Sequence, residues 1–211
     1  MNDVGRLPLF PLNTVLFPNM PLPLHVFEPR YKQMINHCIE DGTDFGVVLV
    51  LGGGLAKVGT SACIENVLQT FEDGRMNILT LGKTRFTIRE VDQSGPYLSA
   101  DVEYWAEETE EDVSEIFLQV KNALQEYARL TGKLSDTALF ENYTPYSFSF
   151  FLAEINMYPL SLQQAVLEMT STQSRLEKGY NSLVTLLNRL RLDKKLQTLF
   201  GTRQSFFNIC N

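Results

Sequence analysis

Short apolar runs alternate with turn residues over the first half of the chain, from Leu7 to about Trp105. Runs of this length that are rich in β-branched and aromatic residues, and separated by Gly, Pro and Asp, are typical of strands. The predicted strands are Val15 to Phe17, Phe45 to Leu51, Ala62 to Phe71, Asn77 to Leu81, Thr84 to Val91 and Tyr97 to Tyr104. Asp73 and Gly74 tolerate the backbone of a tight turn and predict a hairpin. Strands at this spacing predict an antiparallel barrel or sandwich.

One helix interrupts the predicted strands. Pro29 suits a first helical position because it has no N–H to leave unpaired, and Asp41-Gly42 ends the pattern. Apolar residues recur between them at the spacing of a helix face. They are Tyr31, Met34, Ile35, Cys38 and Ile39. We expect this face to close one end of the barrel.

The period becomes helical after an acidic run at positions 107–112, which favours the start of a helix there. Apolar positions from Val113 to Leu130 form one face, and Gly132 is the predicted C-cap. The segment from Tyr146 to Ala153 is too apolar to be exposed. Its alternation of aromatic residues and serines leaves both helix and strand open.

Two further helices are predicted towards the end of the chain. Ser161 and Gln164 form a capping-box pattern after Pro159, and a long apolar period follows from Leu176 to Leu190. The whole pattern predicts an α+β fold. We expect a β-rich subdomain over residues 1–106, with one helix, and an α-helical bundle subdomain over 107–211.

Composition and charge narrow the classes of partner. The chain has 211 residues, 44% hydrophobic and 20% charged, which is typical of a globular protein with its own core. A formal charge of -7 opposes nucleic-acid binding, which is largely electrostatic. The charge is uneven, because basic residues concentrate between Arg175 and Arg203. The basic, amphipathic stretch from Leu187 to Leu199 has three interpretations. It is a helix end at which cations satisfy the last carbonyl groups, a docking surface for an acidic partner, or a membrane-surface helix.

The cysteines and the apolar segments indicate a cytoplasmic protein. Cys38, Cys63 and Cys210 lack the spacing of a zinc site or a disulfide framework, so we expect thiols in a reducing compartment. The first residues resemble no signal peptide, and no stretch approaches the length of a membrane span. The tail from Thr202 to Asn211 carries Phe206, Phe207 and Ile209, which either fold back or form an exposed patch.

Two glycine-containing segments resemble phosphate-binding loops only in part. In the first, Gly54 and Gly59 have the outer spacing, but Thr60 stands where the lysine belongs. In the second, Gly82 precedes a lysine and a hydroxyl, but Asn77 replaces the first glycine. Strand patterns follow both, where the motif requires a helix. We therefore interpret these glycines as turn residues and predict no nucleotide site.

No catalytic or metal site is predicted. The chain has two histidines, His25 in an apolar segment and His37 in the first predicted helix, and neither lies in a hydrolase motif. The acidic run at 107–112 lacks the loop glycine of a calcium site. We expect no enzyme activity, no cofactor and no bound metal, with a hydrolase centred on His25 as the weakest alternative.

A proline-rich segment from Leu7 to Tyr31 is the most unusual part of the sequence. Five prolines stand among leucines, so this chain must be extended yet cannot donate backbone hydrogen bonds at those positions. They are Pro8, Pro11, Pro18, Pro21 and Pro23. The segment must lie at a sheet edge or cross between parts of the barrel.

The segment resembles the start of the N-terminal, substrate-binding domain of Lon-type ATP-dependent proteases, in the version found in stand-alone bacterial proteins. The resemblance covers about residues 6 to 200 and is strongest before residue 105. It continues through Phe45-Gly46-Val47-Val48-Leu49, Gly59 to Ile64, Asp73-Gly74-Arg75, Leu81 to Phe86 and Pro96-Tyr97-Leu98.

The resemblance implies a PUA-like pseudo-barrel followed by a helical bundle. It also implies a module that binds exposed or unfolded protein segments, or a partner of the proteolysis machinery, without ATPase or peptidase activity of its own. The residues implied to form the partner-binding surface are His25, Phe27, Arg30, Tyr31, Arg85, Phe86 and Tyr97. Phe27 and Phe86 could equally belong to the core, and Arg30 could pair internally. The alternative function is a PUA-like small-molecule or RNA binder.

Overall fold

A computed structural model describes residues 3–106, 112–132, 143–155 and 158–200. The elements in these ranges run in the order β1 Val4–Leu12, β2 Pro21–Val26, α1 Pro29–Asp41, β3 Phe45–Leu51, β4 Gly54–Leu55, β5 Val58–Thr70, β6 Met76–Asp92, β7 Ser99–Tyr104, α2 Ser114–Thr131, α3 Pro145–Ile155, α4 Leu160–Leu167 and α5 Thr172–Phe200. The predicted α+β class is confirmed. The acidic run at 107–111 and the tail after residue 200 lie outside the described residues.

Two compact units make up the chain. The first contains residues 1–110 and 153–170, and the second contains residues 111–152 and 171–211. The short helix α4 thus belongs with the strands, an assignment that the sequence did not indicate. The subdomain boundary after residue 106 stays a prediction.

Five strands of the first unit close the sheet into a barrel. The order β1-β7-β6-β5-β3 is antiparallel, and β1 returns to pair with β3 in parallel. β1 makes both pairings because Val4 to Pro8 lie beside β7, whereas Leu9 to Leu12 lie beside β3. A predicted antiparallel barrel is therefore confirmed except at this one parallel pair. The core cluster contains Leu7, Leu9, Val48, Phe86, Ala100 and Val102.

Part of the sheet lies outside this closed circuit. Residues 63–70 of β5 and 76–81 of β6 continue past the barrel strands, and β2 pairs with β6 along the same stretch. We call these three segments the extension. The predicted hairpin is confirmed at its end, where Gly74 has a φ of 77° and joins β5 to β6.

The interpretation of Gly59 and Gly82 as turn residues is wrong. Gly59 lies in β5 and Gly82 in β6, and both permit close approach of neighbouring chains. A Cβ at Gly59 would lie 2.6 Å from the carbonyl oxygen of Val47, and one at Gly82 would lie 2.2 Å from that of Phe17. Glycine in these strands is therefore required by packing.

The same close approach explains two further differences from the predicted strands. The run from Val15 to Phe17 is buried but forms no strand. It crosses over Gly82 of β6, and the carbonyl of Phe17 accepts from the N–H of Met20 in a turn. Thr60 Oγ1 donates to the carbonyl of Leu16 at 2.6 Å. The two runs predicted on either side of Gly82 form the single strand β6. The glycine between them does not break the strand; it leaves room for residues 15–17 to cross above it.

Helix α1 begins and ends where the sequence predicts. Pro29 occupies the first turn, and Gly42 caps the helix with a φ of 63°. Its buried face contains Tyr31, Met34, Ile35 and Cys38, whereas Ile39 is exposed. The ring of Tyr31 lies 4.2 Å from that of Phe10, so this face packs on β1.

The helices of the second unit follow the predicted apolar periods. Gly132 caps α2 with a φ of 65°, and α2 packs against α5. The ambiguous segment from Tyr146 to Ala153 lies within the helix α3, where Ser149 Oγ donates back to the carbonyl of Tyr146 at 2.6 Å. Ser147 Oγ likewise donates to the carbonyl of Thr144, so the serines of the alternating pattern are accommodated within the helical turns.

The predicted capping box of α4 is wrong. The helix begins at Leu160 with Pro159 as its N-cap, and no side chain caps it. Gln164 is instead buried, and its Nε2 donates to the carbonyl of Val58 at 3.0 Å. This long-range bond attaches α4 to β5 and replaces the local one that the sequence indicated.

Candidate functional site

Arg85 and Phe86 are both internal residues of the first unit. Phe86 is 0% exposed in the barrel core, and Arg85 is 3% exposed. The guanidinium of Arg85 donates to the carbonyls of Leu167 at 2.9 Å and Met169 at 2.6 Å, and it stacks 4.5 Å from the ring of Trp105. Since the last carbonyls of a helix lack partners within it, Arg85 satisfies the end of α4 and holds it against β6.

Arg30 and Tyr31 lie at the start of α1, and only Arg30 is exposed. Burial raises the pKa of Tyr31, whose phenol belongs to the α1 interface with β1. The guanidinium of Arg30 lies 4.6 Å from the Tyr31 ring and forms an ion pair with Glu28 at 2.8 Å. Arg30 is therefore paired within the chain, which is the alternative to partner binding given for it above.

Tyr97 is half-buried and contacts a different residue of α1. Its hydroxyl lies 3.1 Å from Nδ1 of His37, with the two rings edge to face. Desolvation raises the pKa of Tyr97, which keeps the phenol protonated and able to donate. None of the contacts described for Tyr97 involves another of the residues proposed for partner binding.

His25 and Phe27 are the two predicted residues that lie together at the surface. Their rings stack with centroids 5.9 Å apart, and Phe27 is 58% exposed. His25 also lies edge to face with Phe71, at 6.1 Å, where the chain leaves β5. This gives three adjacent aromatic rings at the hairpin end of the extension.

A polar row crosses the extension beside these rings. His25 Nδ1 lies 2.7 Å from Oδ1 of Asn77, and Asn77 Nδ2 donates to Oε1 of Gln69 at 3.2 Å. Residues directly opposite one another on adjacent strands share a face, so these three side chains point to the same side. The bonds fix the His25 ring relative to β6 and β5.

Apolar side chains continue along the same face. Pro23 is opposite Leu79, and Pro21 is opposite Leu81, at alternate positions from the His25–Asn77 pair. Leu68 is 61% exposed at an irregularity where Val67 and Gln69 pair with successive residues of β6. We call this surface the outer face. Its members are Pro21, Pro23, His25, Gln69, Asn77, Leu79 and Leu81, with Phe27 and Phe71 at the hairpin end and the exposed Leu68 at the neighbouring irregularity of β5.

The free edge of β2 is protected from strand pairing. The N–H of Gly82 donates to the carbonyl of Met20 at 2.9 Å. In an antiparallel pair, the N–H and C=O groups of every second residue point to the partner strand, so those of Leu22, Leu24 and Val26 point to β6. Pro21 and Pro23 therefore face away from β6, where neither has an N–H to offer. An edge without these donors pairs poorly with a further strand. Strand addition at the β2 edge of the extension is therefore disfavoured.

The described residues include no group of three or more His, Cys, Asp or Glu side chains that could hold a metal ion. Cys38 is buried and Cys63 half-buried, both as free thiols, and desolvation raises the pKa of each. Cys210 lies outside the described ranges. In the part of the chain that the structure covers, no helix has the length and apolar character needed to cross a membrane.

Sequence reasoning missed Leu68, Gln69, Phe71 and Asn77. The consecutive apolar pair Val67-Leu68 breaks the alternation of β5, and such a break is the sequence signal of a bulge that turns a side chain outward. Asn77 and Gln69 carried no such signal, because their hydrogen bonds depend on strand register.

A family model for the ATP-dependent protease La (LON) substrate-binding domain matches residues 6–185. The chain belongs to the LON substrate-binding domain family. Lon protease 2 of Syntrophobacter fumaroxidans is 26% identical over 205 residues, which cover 91% of this chain and 26% of the relative. Lon protease 2 of Myxococcus xanthus is 30% identical over 205 residues, covering 90% and 24%. This LON-family chain therefore spans about a quarter of the length of these relatives.

Solved structures agree with the family assignment. A Lon N-terminal domain protein from Xanthomonas campestris superimposes with a TM-score of 0.66 at 26% identity, covering 82% of this chain and 96% of that one. The N-terminal domain of Mycobacterium avium complex Lon protease has a TM-score of 0.71 at 15% identity, covering 85% and 98%. The second likeness shows the shared fold alone. The expected LON-type architecture is thus confirmed.

Proposed function

We propose that this LON-family chain is a protein-binding module that takes up exposed apolar segments of non-native polypeptides on its outer face. The observation that carries the proposal is the solvent-exposed ring of Phe27 stacked on His25 at the surface of the extension, where Leu68 is also exposed. Soluble proteins rarely expose contiguous apolar patches without a binding role.

The chemistry of the outer face favours uncharged segments with aromatic or aliphatic side chains. Its side chains are apolar or neutral amides apart from the imidazole, and the flanking ion pair of Arg75 with Asp73 lies at the hairpin end. Arg75 also stacks 5.0 Å from the Phe71 ring, so the cation holds that ring in place. Apolar contacts made by such a surface tolerate many sequences, because they require area and not a fixed hydrogen-bond pattern.

The family description supports this assignment, since the matching family is named for substrate binding. The full-length relatives are Lon proteases, and this chain matches about a quarter of each. We infer that the chain binds polypeptides in the cytoplasm without ATPase or peptidase chemistry of its own.

Fluorescence anisotropy with labelled, reduced and carboxymethylated α-lactalbumin tests the proposal, because that protein is permanently unfolded. We expect binding by wild type and a loss of about tenfold or more for Phe27→Ser combined with Leu68→Ser. Removing about 100 Å² of exposed aromatic surface forfeits roughly 2–3 kcal/mol if it is fully buried on binding, and 1.4 kcal/mol is a factor of ten.

Leu51→Ser is the matched control, because Leu51 is 50% exposed in the same unit but lies at the end of β3, away from the extension. It should leave the affinity unchanged. Equal losses for the control and the double variant, or equal binding of native and unfolded α-lactalbumin, would disprove recognition by the outer face.

A further inference from the structure

A second apolar surface lies on the last turns of α5, in the other unit. Leu192, Leu196 and Leu199 are 56%, 43% and 64% exposed. Their spacing of four and then three residues places them in one stripe along the helix. Every described side chain from Arg191 to Leu199 is exposed, so within the described residues nothing covers the stripe.

The stripe is separate from the face that α5 uses for packing. Leu183 and Leu187 are buried in the unit that contains α2 and α5. At about 100° per residue, the exposed leucines lie about 120–180° around the helix from Leu187. A surface helix normally carries one apolar face. A second one at the opposite side is a candidate surface for a partner.

The charges beside the stripe indicate the chemistry of that partner. Residues 188–199 contain four cations and the single acid Asp193, in a chain whose net charge is -7. Arg191 is bonded to Glu126 at 2.9 and 2.6 Å. The other three cations, Arg189, Lys194 and Lys195, have no ion pair with any described residue. A concentration of unpaired cations within an acidic protein attracts an acidic partner.

We propose that the last turns of α5 dock an acidic amphipathic helix of another protein, with its apolar residues on the leucine stripe and its carboxylates beside Arg189, Lys194 and Lys195. A second copy of the chain is disfavoured, because pairing two such stripes brings like cations together. A membrane surface is disfavoured because the stripe formed by the described side chains is only about two turns long.

A synthetic 21-residue peptide tests the proposal, with leucine at the a and d positions of each heptad and glutamate at e and g. We expect the full chain to bind the labelled peptide in anisotropy, and to bind an analogue with lysine at e and g about tenfold or more weakly. Lys194→Glu with Lys195→Glu should reverse this preference. That reversal is a signature that non-specific hydrophobic binding would not give.

Variants of the stripe give the second arm. Leu192→Gln with Leu196→Gln and Leu199→Gln should weaken binding of the acidic peptide about tenfold or more, while these exposed changes leave the helix intact. Leu118→Gln, 59% exposed on α2, is the matched control and should have no effect. The outer-face variants should also leave this affinity unchanged, so this test and that of the proposed function fail independently.

Three results would overturn the proposal. Equal affinity for the acidic and basic peptides would remove the role of charge. Stripe-dependent binding to vesicles containing 30% phosphatidylserine, without peptide binding, would assign the surface to a membrane. A dimer in sedimentation velocity that the triple glutamine variant abolishes would assign it to a second copy of the chain.

Discussion

Gly82→Ala should destabilise the first unit and distort the extension, because Gly82 lies directly beneath the crossing segment. The new Cβ would lie 2.2 Å from the carbonyl oxygen of Phe17, whereas non-bonded atoms normally lie at about 3.5 Å. The obstacle is backbone, so no side-chain rotation relieves it. Residues 17–20 must move by about 1 Å or more.

The movement also strains two hydrogen bonds. Asn19 donates to the carbonyl of Gly82 at 2.8 Å, and the N–H of Gly82 donates to the carbonyl of Met20 at 2.9 Å. Loss of both costs about 2 kcal/mol, and the displaced packing adds about 1–3 kcal/mol. We therefore expect a decrease of roughly 3–5 kcal/mol in the free energy of unfolding, which is a large part of the usual total.

Urea unfolding followed by tryptophan fluorescence measures this change. The single tryptophan, Trp105, donates to Thr87 Oγ1 at 2.8 Å and so reports on the barrel. Gly54→Ala is the control, because a Cβ there meets nothing within 4 Å and the residue has no positive φ. If the free energies of unfolding of Gly82→Ala and the control differ by less than about 0.5 kcal/mol, residues 15–20 do not approach β6 closely. The register of β2 on β6, which depends on that approach, would then also be refuted.

Three further predictions concern the contacts that hold the first unit together. Arg85→Gln removes the bonds to the end of α4 and the stacking on Trp105, so it should cost about 2–4 kcal/mol and shift the emission of Trp105 to longer wavelength. Gln164→Leu leaves the carbonyl of Val58 unpaired and should lower the free energy of unfolding by about 1–3 kcal/mol in urea. Burial raises the pKa of Tyr31 above 10.0, so the unfolded chain ionises first and stability falls as pH rises past that value. Tyr31→Phe should flatten this alkaline decline in urea midpoints measured from pH 8 to 11.

Each of these outcomes has a contrary result. Arg89→Gln should have little effect on the barrel, because Arg89 is 60% exposed in its ion pair with Glu103, so equal losses for Arg85 and Arg89 would contradict an internal role for Arg85. An unchanged stability of Gln164→Leu would mean that water replaces the amide at Val58. Tyr97 also has a raised pKa and leaves part of the decline in place, so only a decline above pH 10 that is as steep in Tyr31→Phe as in wild type would contradict the role of Tyr31.

Local signals predicted the parts of the fold that depend on neighbouring residues. Pro29 and Gly42 bound α1 because each fixes or permits a backbone conformation by itself, and Gly74 does the same for the hairpin. Gln164 shows the limit of such signals. Its bond to Val58, 106 residues away, outcompetes the capping box that its spacing with Ser161 indicated.

The candidate site was predictable only in part, for the same reason. His25 and Phe27 stand together because they are close in sequence, whereas Leu68 and Phe71 join them through the register of β2, β6 and β5. Arg85 was expected at a binding surface because the resemblance to the Lon N-terminal domain implied it. It is buried because two carbonyls and an indole ring replace its water, and all three become adjacent only after folding.

The closure of the barrel explains why the outer face is exposed. β6 pairs with β7 over residues 86–92 and with β2 over residues 76–81, so only its second half belongs to the closed circuit. A sheet that continues past a closed barrel cannot cover both of its faces with the same core. The inner face of the extension packs through buried Met76 and Ile78, and the alternate positions must then face outward. Since Pro21 and Pro23 remove donors from the edge of β2, that edge resists strand addition, while the outer face keeps the ring of Phe27 exposed.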